Sequence, residues 1–340
     1  MRKYLGNYEN KKVLIHLGYP KTASTTLQEN IFLDLHKSGK INYLGRVYLN
    51  KDRFKNTDYA IKIRKLFLKR KSLIKILKKI NLKTNIINVI SDENYSMPKM
   101  INRIQYSSDV DPLNFPKFIS NTFFELDITF LLTIRRQSDM LFSLFVQKYK
   151  FLYSKHYNIT FEEFLLCKDS SLVKNEFREL FNFNKIYEIV RNLNKNGLKQ
   201  REFEILFFED LKHNQDYFCS KLAKILKCPM SEIKKSLNKK EWRKKRIKHN
   251  NIDVEINKLR FVFQPFRKYL VYNYNDPTLK LRFLNMFFFK RELKSIPIPN
   301  QEFYELIDKQ FEESNHVFFR EMNLDKNKGL KYKYFENIVV

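Results

Sequence analysis

Apolar and polar positions along the chain follow two periods, one typical of buried strands and one typical of helices. Short continuous apolar runs that end in turn residues indicate strands buried on both faces. Four such runs occur, at residues 13–17, 85–90, 127–134 and 202–208. Between them the apolar residues repeat at helical spacing. Leu27, Ile31 and Leu35 of the first helix, for example, lie four residues apart.

The alternation of strands and helices predicts an α/β fold with a central parallel sheet and helices on both faces. The predicted helices lie at residues 25–35, 140–149, 158–167, 173–194 and 214–227. In such a sheet, ligands bind beyond the carboxyl ends of the strands. The residues just after Leu17, Ile90 and Ile134 are therefore the first candidates for a functional site.

Beyond Ser231 the pattern becomes mainly helical and very basic. The sequence therefore predicts a core at residues 1–230, with helical insertions at about 51–80 and 151–200. A basic, mainly helical C-terminal region at residues 231–340 is expected to pack on this core.

The high positive charge of the chain favours negatively charged binding partners. Its 340 residues include 65 Lys and Arg against 37 Asp and Glu, a formal net charge of +28. A hydrophobic content of 43% excludes a disordered polybasic tail, because so much apolar surface must be buried. The positive charge attracts polyanions such as nucleic acid, acidic glycans, an anionic membrane surface or phosphorylated small molecules. The alternative is AT-rich coding, which also enriches Lys, Asn, Ile and Phe.

Cysteine usage and hydropathy predict a cytoplasmic protein. The three cysteines, Cys167, Cys219 and Cys228, form no CxxC pair, which fits neither a disulfide framework nor a zinc site. The N-terminal residues lack the apolar segment of a signal peptide. No uncharged apolar run reaches the roughly 18 residues that would span a bilayer.

The turn after the first strand, residues 18–26, has the composition of an anion site and is called the anion loop below. It reads Gly-Tyr-Pro-Lys-Thr-Ala-Ser-Thr-Thr and leads directly into the first helix. Four hydroxyls, the Lys21 ammonium and the unpaired N–H groups of a helix start suit a phosphate or sulfate. The alternative is a simple helix cap. The P-loop pattern G-x-x-x-x-G-K-[ST] is not met, which argues against Mg²⁺-dependent phosphoryl transfer.

The anion loop resembles the 5′-phosphosulfate loop of sulfotransferases that use 3′-phosphoadenosine 5′-phosphosulfate (PAPS). That family has P-K-[ST]-G-T-[TS] at the end of its first strand, and this chain has Ala23 in place of the Gly and Ser24 in place of the first Thr. Since Ala23 has a Cβ, the loop is expected to hold a conformation allowed to Ala. The resemblance implies a P-loop-like three-layer α/β fold without a metal. It assigns PAPS binding to Lys21, Thr22, Ala23, Ser24, Thr25 and Thr26.

A second motif is similar to the bacterial carbohydrate-type branch of the same family. Arg135 ends the third predicted strand and Ser143 follows eight residues later, as in the family's pair of ligands for the 3′-phosphate. An Arg at a strand end and a Ser two helical turns later can converge on one phosphate. Arg136 is expected to be a solvated surface residue, with a second phosphate ligand as the alternative. Residues 207–211 resemble the family's Y-E-D-L segment, which we interpret as structural.

The resemblance also implies the catalytic groups. Lys21 would stabilise the leaving group, and Glu93, in the string Ser91-Asp92-Glu93 after the second strand, would be the base. Asp92 is the second candidate for the base. The alternative is that either carboxylate caps a helix or pairs with a lysine. His16 lies within the first strand and is expected to be a core histidine.

The predicted function is transfer of a sulfuryl group from PAPS to a hydroxyl of a saccharide or glycolipid, with no role for nucleic acid. Two alternatives remain open: an ATP-dependent kinase-like enzyme and a non-catalytic binder of nucleic acid. The basic segments at 61–80 and 239–248 are either solvated helix faces or contacts to an acidic glycan, the nucleotide or an anionic membrane surface. Peripheral membrane association is therefore part of the expectation.

Overall fold

Five parallel strands form a sheet in a computed structural model of the protein. The strands are β1 (Lys12–His16), β2 (Ile41–Tyr43), β3 (Ile87–Ser91), β4 (Asp127–Ile134) and β5 (Arg201–Phe207), in the spatial order β2-β3-β1-β4-β5. The structure describes residues 11–45, 59–69, 80–92, 95, 114–123, 126–152, 159–166, 173–195, 201–238, 247–248, 251–256 and 292–336. The α/β fold with a central parallel sheet is thus confirmed, and β2 is a strand that the apolar pattern did not predict.

The strands are buried because helices cover both faces of the sheet. On one face the first helix packs with two later helices around a core that includes Leu14, Leu27, Ile31 and Leu35. This first helix begins with a π-helical turn (Thr26–Phe32) and continues as α1 (Leu33–Lys37). A spacing of four residues advances by about 40° on an ordinary α-helix. The wider π-helical turn rotates less per residue and so keeps the three apolar side chains on one face.

Most of the remaining helices lie where the sequence predicts a helix. In chain order they are α2 (Tyr59–Leu68), α3 (Phe115–Thr122), α4 (Gln137–Leu152), α5 (Phe161–Leu165), α6 (Asn175–Leu180), α7 (Phe183–Lys195), α8 (Phe208–His213), α9 (Gln215–Leu226), α10 (Met230–Asn238), α11 (Gln301–Lys309), α12 (Glu312–Glu321) and α13 (Lys326–Lys331). None of the helices in the described ranges is long and apolar enough to cross a membrane.

The chain divides into two compact units, each built from separate stretches of sequence. The first comprises Met1–Met140, Asn175–Trp242 and Asp308–Val340 and contains the parallel sheet. The second comprises Leu141–Lys174 and Arg243–Ile307. The expected division near residue 230 stays a prediction, and these units interleave across it.

The second unit contains a small antiparallel sheet that was not predicted. Its strands are β6 (Ile247–Lys248), β7 (Asn251–Ile256) and β8 (Glu292–Pro297), in that spatial order. Rings of Phe142, Phe145, Phe161 and Tyr304 pack against one another in the same unit. The C-terminal region is mainly helical, as expected, with this sheet as an addition.

The end of the chain is fastened to the first unit by a buried pair of amides. Gln137 Nε2 donates to Asn315 Oδ1 at 2.8 Å, and Asn315 Nδ2 donates back to Gln137 Oε1 at 3.1 Å. The Asn315 amide also donates to the carbonyl of Tyr334 at 2.9 Å. Because both side chains are buried, each amide needs the other in order to satisfy its hydrogen bonds.

We therefore expect Asn315→Leu to lower the free energy of unfolding by about 2 kcal/mol, because it leaves the Gln137 amide buried without its partner. The double variant Gln137→Met/Asn315→Leu should recover part of this loss, since both polar groups are then absent. Denaturant unfolding measures both values. The exposed Gln147→Met on the same helix serves as the control. Equal stability of the single and double variants would contradict the role of the pair.

Candidate functional site

Three neighbouring strands of the sheet point their carboxyl ends to the same edge, where β4 extends three residues beyond the partner of His16. His16 of β1 lies in register with Ser91 of β3 and with Leu131 of β4. The residues that follow these strands therefore meet at one edge. They are the anion loop after β1, Asp92 after β3 and Arg135 after β4.

The anion loop has a left-handed backbone at alternate residues. Lys21 has φ 67° and Ala23 has φ 64°, and Gly18 is also positive at 40°. Left-handed residues interspersed with right-handed ones turn successive N–H groups to one side, which forms an anion-binding concavity. Ala23 thus occupies a conformation that favours glycine, at a cost of roughly 1–2 kcal/mol. The left-handed region is nevertheless among those that an L-residue such as Ala can adopt.

Bonds within the loop fix this conformation. The hydroxyls of Thr22 and Ser24 both donate to the carbonyl of Tyr19, at 2.7 and 3.1 Å. The Tyr19 ring is buried against Phe181 and Phe183, with ring centroids 5.7 and 5.5 Å apart. Two of the four hydroxyls expected to face an anion thus hold the loop instead.

The remaining hydroxyls lie at the start of the first helix. Thr25 is exposed and Thr26 half-buried, while Thr22 and Ser24 are buried. The N–H groups at a helix start have no partner within the helix. Backbone donors and the hydroxyls of Thr25 and Thr26 are therefore the groups of this loop that can face an incoming anion.

Arg135 reaches the anion loop from the end of β4. Its Nη1 donates to the carbonyl of Lys21 at 3.1 Å, and its guanidinium lies 4.5 Å from the centre of the Phe208 ring. The stacking orients the guanidinium. The structure thus brings together two of the residues that the sequence singles out, Lys21 and Arg135.

Glu209 lies close to Arg135, at the start of α8. Its carboxylate accepts from the backbone N–H of Arg136 at 2.9 Å and from the Tyr334 hydroxyl at 3.1 Å. Burial raises the pKa of Glu209 to about 6, although these hydrogen bonds and the charge of Arg135 oppose the shift. The neighbouring Asp210 accepts from Lys328 and Tyr332. Both acids connect the C-terminal segment to the sheet, which agrees with the structural interpretation of residues 207–211.

Arg136 is neither a surface residue nor a free phosphate ligand. Its Nε and Nη2 both lie 2.6 Å from Asp308 Oδ2. Asp308 also accepts from the backbone N–H and the hydroxyl of Ser138. The carboxylate lies 172 residues further along the chain, so no local pattern could reveal this pair. The expectation of a solvated arginine is wrong.

Asp92, the second candidate for the base, is fully buried in an ion pair. Its Oδ2 lies 2.7 Å from Nη1 of Arg64 on α2. This carboxylate oxygen is therefore engaged by a side chain of the fold. Glu93 lies outside the described residues.

Ser143 and the basic segments complete the set of residues that the sequence singles out. Ser143 lies on α4 in the second unit and is 8% exposed. Residues 61–69 belong to α2 or follow it, while 70–79 and 239–246 lie outside the described residues. Within the described part of the chain, no three His, Cys, Asp or Glu side chains are grouped so that they could hold a metal ion.

Comparisons with known proteins agree with the sequence resemblance. The family model described as "Sulfotransferase domain" matches residues 10–269, well over half of the chain. No curated protein sequence matches this chain.

The chain is also similar to solved structures. A sulfotransferase from Alicyclobacillus acidocaldarius has 12% identity and a TM-score of 0.38, with 65% of this chain and 82% of that chain covered. The sulfotransferase domain from the curacin biosynthetic pathway has 11% identity and a TM-score of 0.30, with 71% and 81% covered. Retinol dehydratase in complex with androsterone and the inactive cofactor PAP has 16% identity and a TM-score of 0.29, with 69% and 66% covered.

The left-handed backbone at Ala23 leads to a stability prediction. Ala23→Gly removes the steric cost of a Cβ at positive φ but adds backbone freedom to the unfolded chain. We expect a net gain of about 0.5–1 kcal/mol in the free energy of unfolding, measured by denaturant titration. Ala223→Gly, within the right-handed helix α9, should instead lose about 1 kcal/mol. Similar losses in both variants would contradict the left-handed conformation.

The raised pKa of Glu209 predicts a pH dependence of stability. Between about pH 4.5 and 6 the native carboxyl keeps a proton that the unfolded chain has lost. The free energy of unfolding should therefore fall as pH rises through this window, by on the order of 2 kcal/mol. Burial also raises the pKa of Asp308 to about 6, so both carboxyls contribute to this fall. Glu209→Gln, which cannot titrate, should therefore make the profile less steep, whereas the exposed Glu313→Gln should leave it unchanged. An unchanged profile in Glu209→Gln would show that another group is responsible.

Proposed function

Because the chain belongs to the sulfotransferase family, we propose that it transfers a sulfuryl group from PAPS to a hydroxyl of a saccharide or glycolipid. The observation that carries this proposal is the anion loop. Its backbone is left-handed at Lys21 and Ala23, and the first helix starts directly after it. The guanidinium of Arg135 lies beside the loop and contacts it. Helix N-termini and concavities lined by backbone N–H groups bind phosphate and sulfate.

The residues at this edge fit the donor. The N–H groups at the helix start, the hydroxyls of Thr25 and Thr26, and the Lys21 ammonium would hold the 5′-phosphosulfate. Thr22, Ala23 and Ser24 would contribute through backbone N–H groups, since the hydroxyls of Thr22 and Ser24 donate to Tyr19. Arg135 would bind the 3′-phosphate. Ser143 is proposed as a second ligand of this phosphate from the sequence resemblance alone.

The chemistry needs a base and a group that stabilises the departing charge. When bound, PAPS would supply the sulfuryl group. The S–O bond to the 5′-phosphate would break, and its electron pair would stay on the phosphate. A new S–O bond to the acceptor oxygen would form in the same step. The Lys21 ammonium stabilises the charge on the departing oxygen. Glu93 takes the proton of the acceptor hydroxyl. The buried ion pair of Asp92 with Arg64 favours Glu93 over Asp92 for this step.

The acceptor class follows from the branch that the motif around Arg135 resembles. The net charge of +28 agrees with an acidic acceptor or an acidic surface around it. We propose that the protein works in the cytoplasm, peripheral to an anionic membrane when the acceptor is a glycolipid.

Binding of 3′-phosphoadenosine 5′-phosphate (PAP), the product left by the donor, tests this proposal. We expect calorimetry to detect PAP binding by the wild-type protein. Lys21→Ala and Arg135→Ala should each weaken it by about 10- to 100-fold, because each removes a charge-assisted contact to a phosphate.

Lys235→Ala is the matched control, since it removes one exposed positive charge on α10 and should leave PAP affinity unchanged. Absence of PAP binding in the wild type would overturn the proposal. Turnover that needs ATP and Mg²⁺ instead of PAPS would favour the kinase-like alternative.

A further inference from the structure

A cluster of buried polar side chains lies at the carboxyl ends of the strands, and the proposed binding of PAPS does not use it. It consists of His16 at the end of β1, Gln28 in the π-helical turn, Ser91 at the end of β3 and Thr133 near the end of β4. All four are fully buried. Buried polar groups are costly unless they are paired, so four together at one edge call for a physical reason.

The Ser91 hydroxyl is the centre of the cluster. His16 Nδ1 lies 2.7 Å from Ser91 Oγ, and Gln28 Nε2 donates to the same oxygen at 2.8 Å. His16 lies two residues before the anion loop begins, and Gln28 lies two residues after it ends. One hydroxyl on β3 therefore holds the entry and the exit of the anion loop at the same time.

The protonation of His16 follows from these contacts. Burial lowers the pKa of His16 to about 3, so the ring is neutral and has a single N–H. Gln28 already donates to Ser91, so every contact is used when the Ser91 hydroxyl donates to His16 Nδ1 and the ring hydrogen lies on Nε2, 3.4 Å from Thr133 Oγ1. We infer this tautomer, in which the hydrogen bonds run from Gln28 through Ser91 and His16 to Thr133.

The residue that follows β3 is held from another element. Asp92 forms its buried ion pair with Arg64 of α2. The same helix is fastened by Tyr95, whose hydroxyl donates to the carbonyl of Ala60 at 3.0 Å and whose ring stacks on Phe115 at 4.0 Å. Two successive residues, Ser91 and Asp92, are thus fixed by separate elements, immediately before Glu93.

We propose that His16, Gln28 and Ser91 are positioning residues, which through the shared Ser91 hydroxyl fix the end of β3 relative to the anion loop. This proposal rests on the proposed function, because it assumes that the loop holds the donor and that the base follows β3. Group transfer depends steeply on such alignment, and a displacement of about 1 Å can cost 100-fold in rate. None of the three residues touches the reacting atoms in this scheme.

The test removes the shared hydroxyl and separates binding from turnover. Ser91→Ala should leave PAP affinity within about twofold of the wild type and lower kcat by about 10- to 100-fold. Turnover is measured as PAP formed from PAPS with the best of a panel of saccharide and glycolipid acceptors. Where no acceptor of the panel reacts, it is measured with water as the acceptor. Ser120→Ala is the matched control, since Ser120 is a fully buried serine on α3 and its loss should change neither quantity.

Two further variants keep the proposal falsifiable if Ser91→Ala is unstable. Ser91→Thr restores a hydroxyl and should recover most of kcat. Gln28→Met removes the donor at the loop exit with little change in shape, and should lower kcat without affecting PAP affinity. Ring nitrogen chemical shifts of His16 give an independent readout and should show the neutral Nε2–H tautomer, with a change in Ser91→Ala.

The outcomes distinguish the two proposals. Absence of PAP binding in the wild type contradicts the proposed function. Normal PAP binding together with wild-type kcat in Ser91→Ala and Gln28→Met overturns the positioning role alone. A parallel loss of stability, PAP affinity and kcat in these variants would assign the cluster to structure and also overturn it.

Discussion

The parallel arrangement of β1, β3 and β4 is the constraint on which the site depends. Parallel strands in register end at one edge, so residues far apart in the sequence meet there without any further device. Lys21, Asp92 and Arg135 reach the edge in this way. The anion loop is then held from within, since Tyr19 is anchored among aromatic rings and its carbonyl accepts two hydroxyls. Such a loop needs little rearrangement to bind an anion.

Buried carboxylates decide which basic residues remain for a ligand. Arg64 is paired with Asp92, Arg136 with Asp308 and Lys328 with Asp210. Arg135, by contrast, donates one bond to the Lys21 carbonyl and stacks on Phe208. Part of the positive charge of the chain therefore stabilises the fold through buried ion pairs. The fold, and not the net charge, decides which basic side chains can bind a ligand.

The sequence predicts the strands whose apolar pattern is long and clear, and it misses those whose pattern is short or interrupted. The strand Asp127–Ile134 was predicted with its observed bounds, because it is long, apolar and β-branched. The strand Ile41–Tyr43 has only three residues, too few to show a period. In β7, Ile252, Val254 and Ile256 alternate with polar residues, a signal that the surrounding lysines obscured.

The candidate site shows the same division. Lys21 and Arg135 are found from motif and spacing, since both follow strands directly. The partners of Arg136 and Asp92 come from distant parts of the chain, and the Ser91 cluster joins three strands and a helix. No local pattern contains such contacts. The left-handed Ala23 is an intermediate case, because its position in the motif pointed to glycine and the structure gives it a positive φ of 64°.

A structure of the protein with PAP bound tests whether the anion loop is formed before the ligand arrives. We expect the 5′-phosphate to accept hydrogen bonds from backbone N–H groups of residues 22–26. Lys21 and Ala23 should keep positive φ, and Arg135 should still contact the loop. A phosphate bound away from this edge, or a loop that changes to right-handed conformation at Ala23, would contradict it.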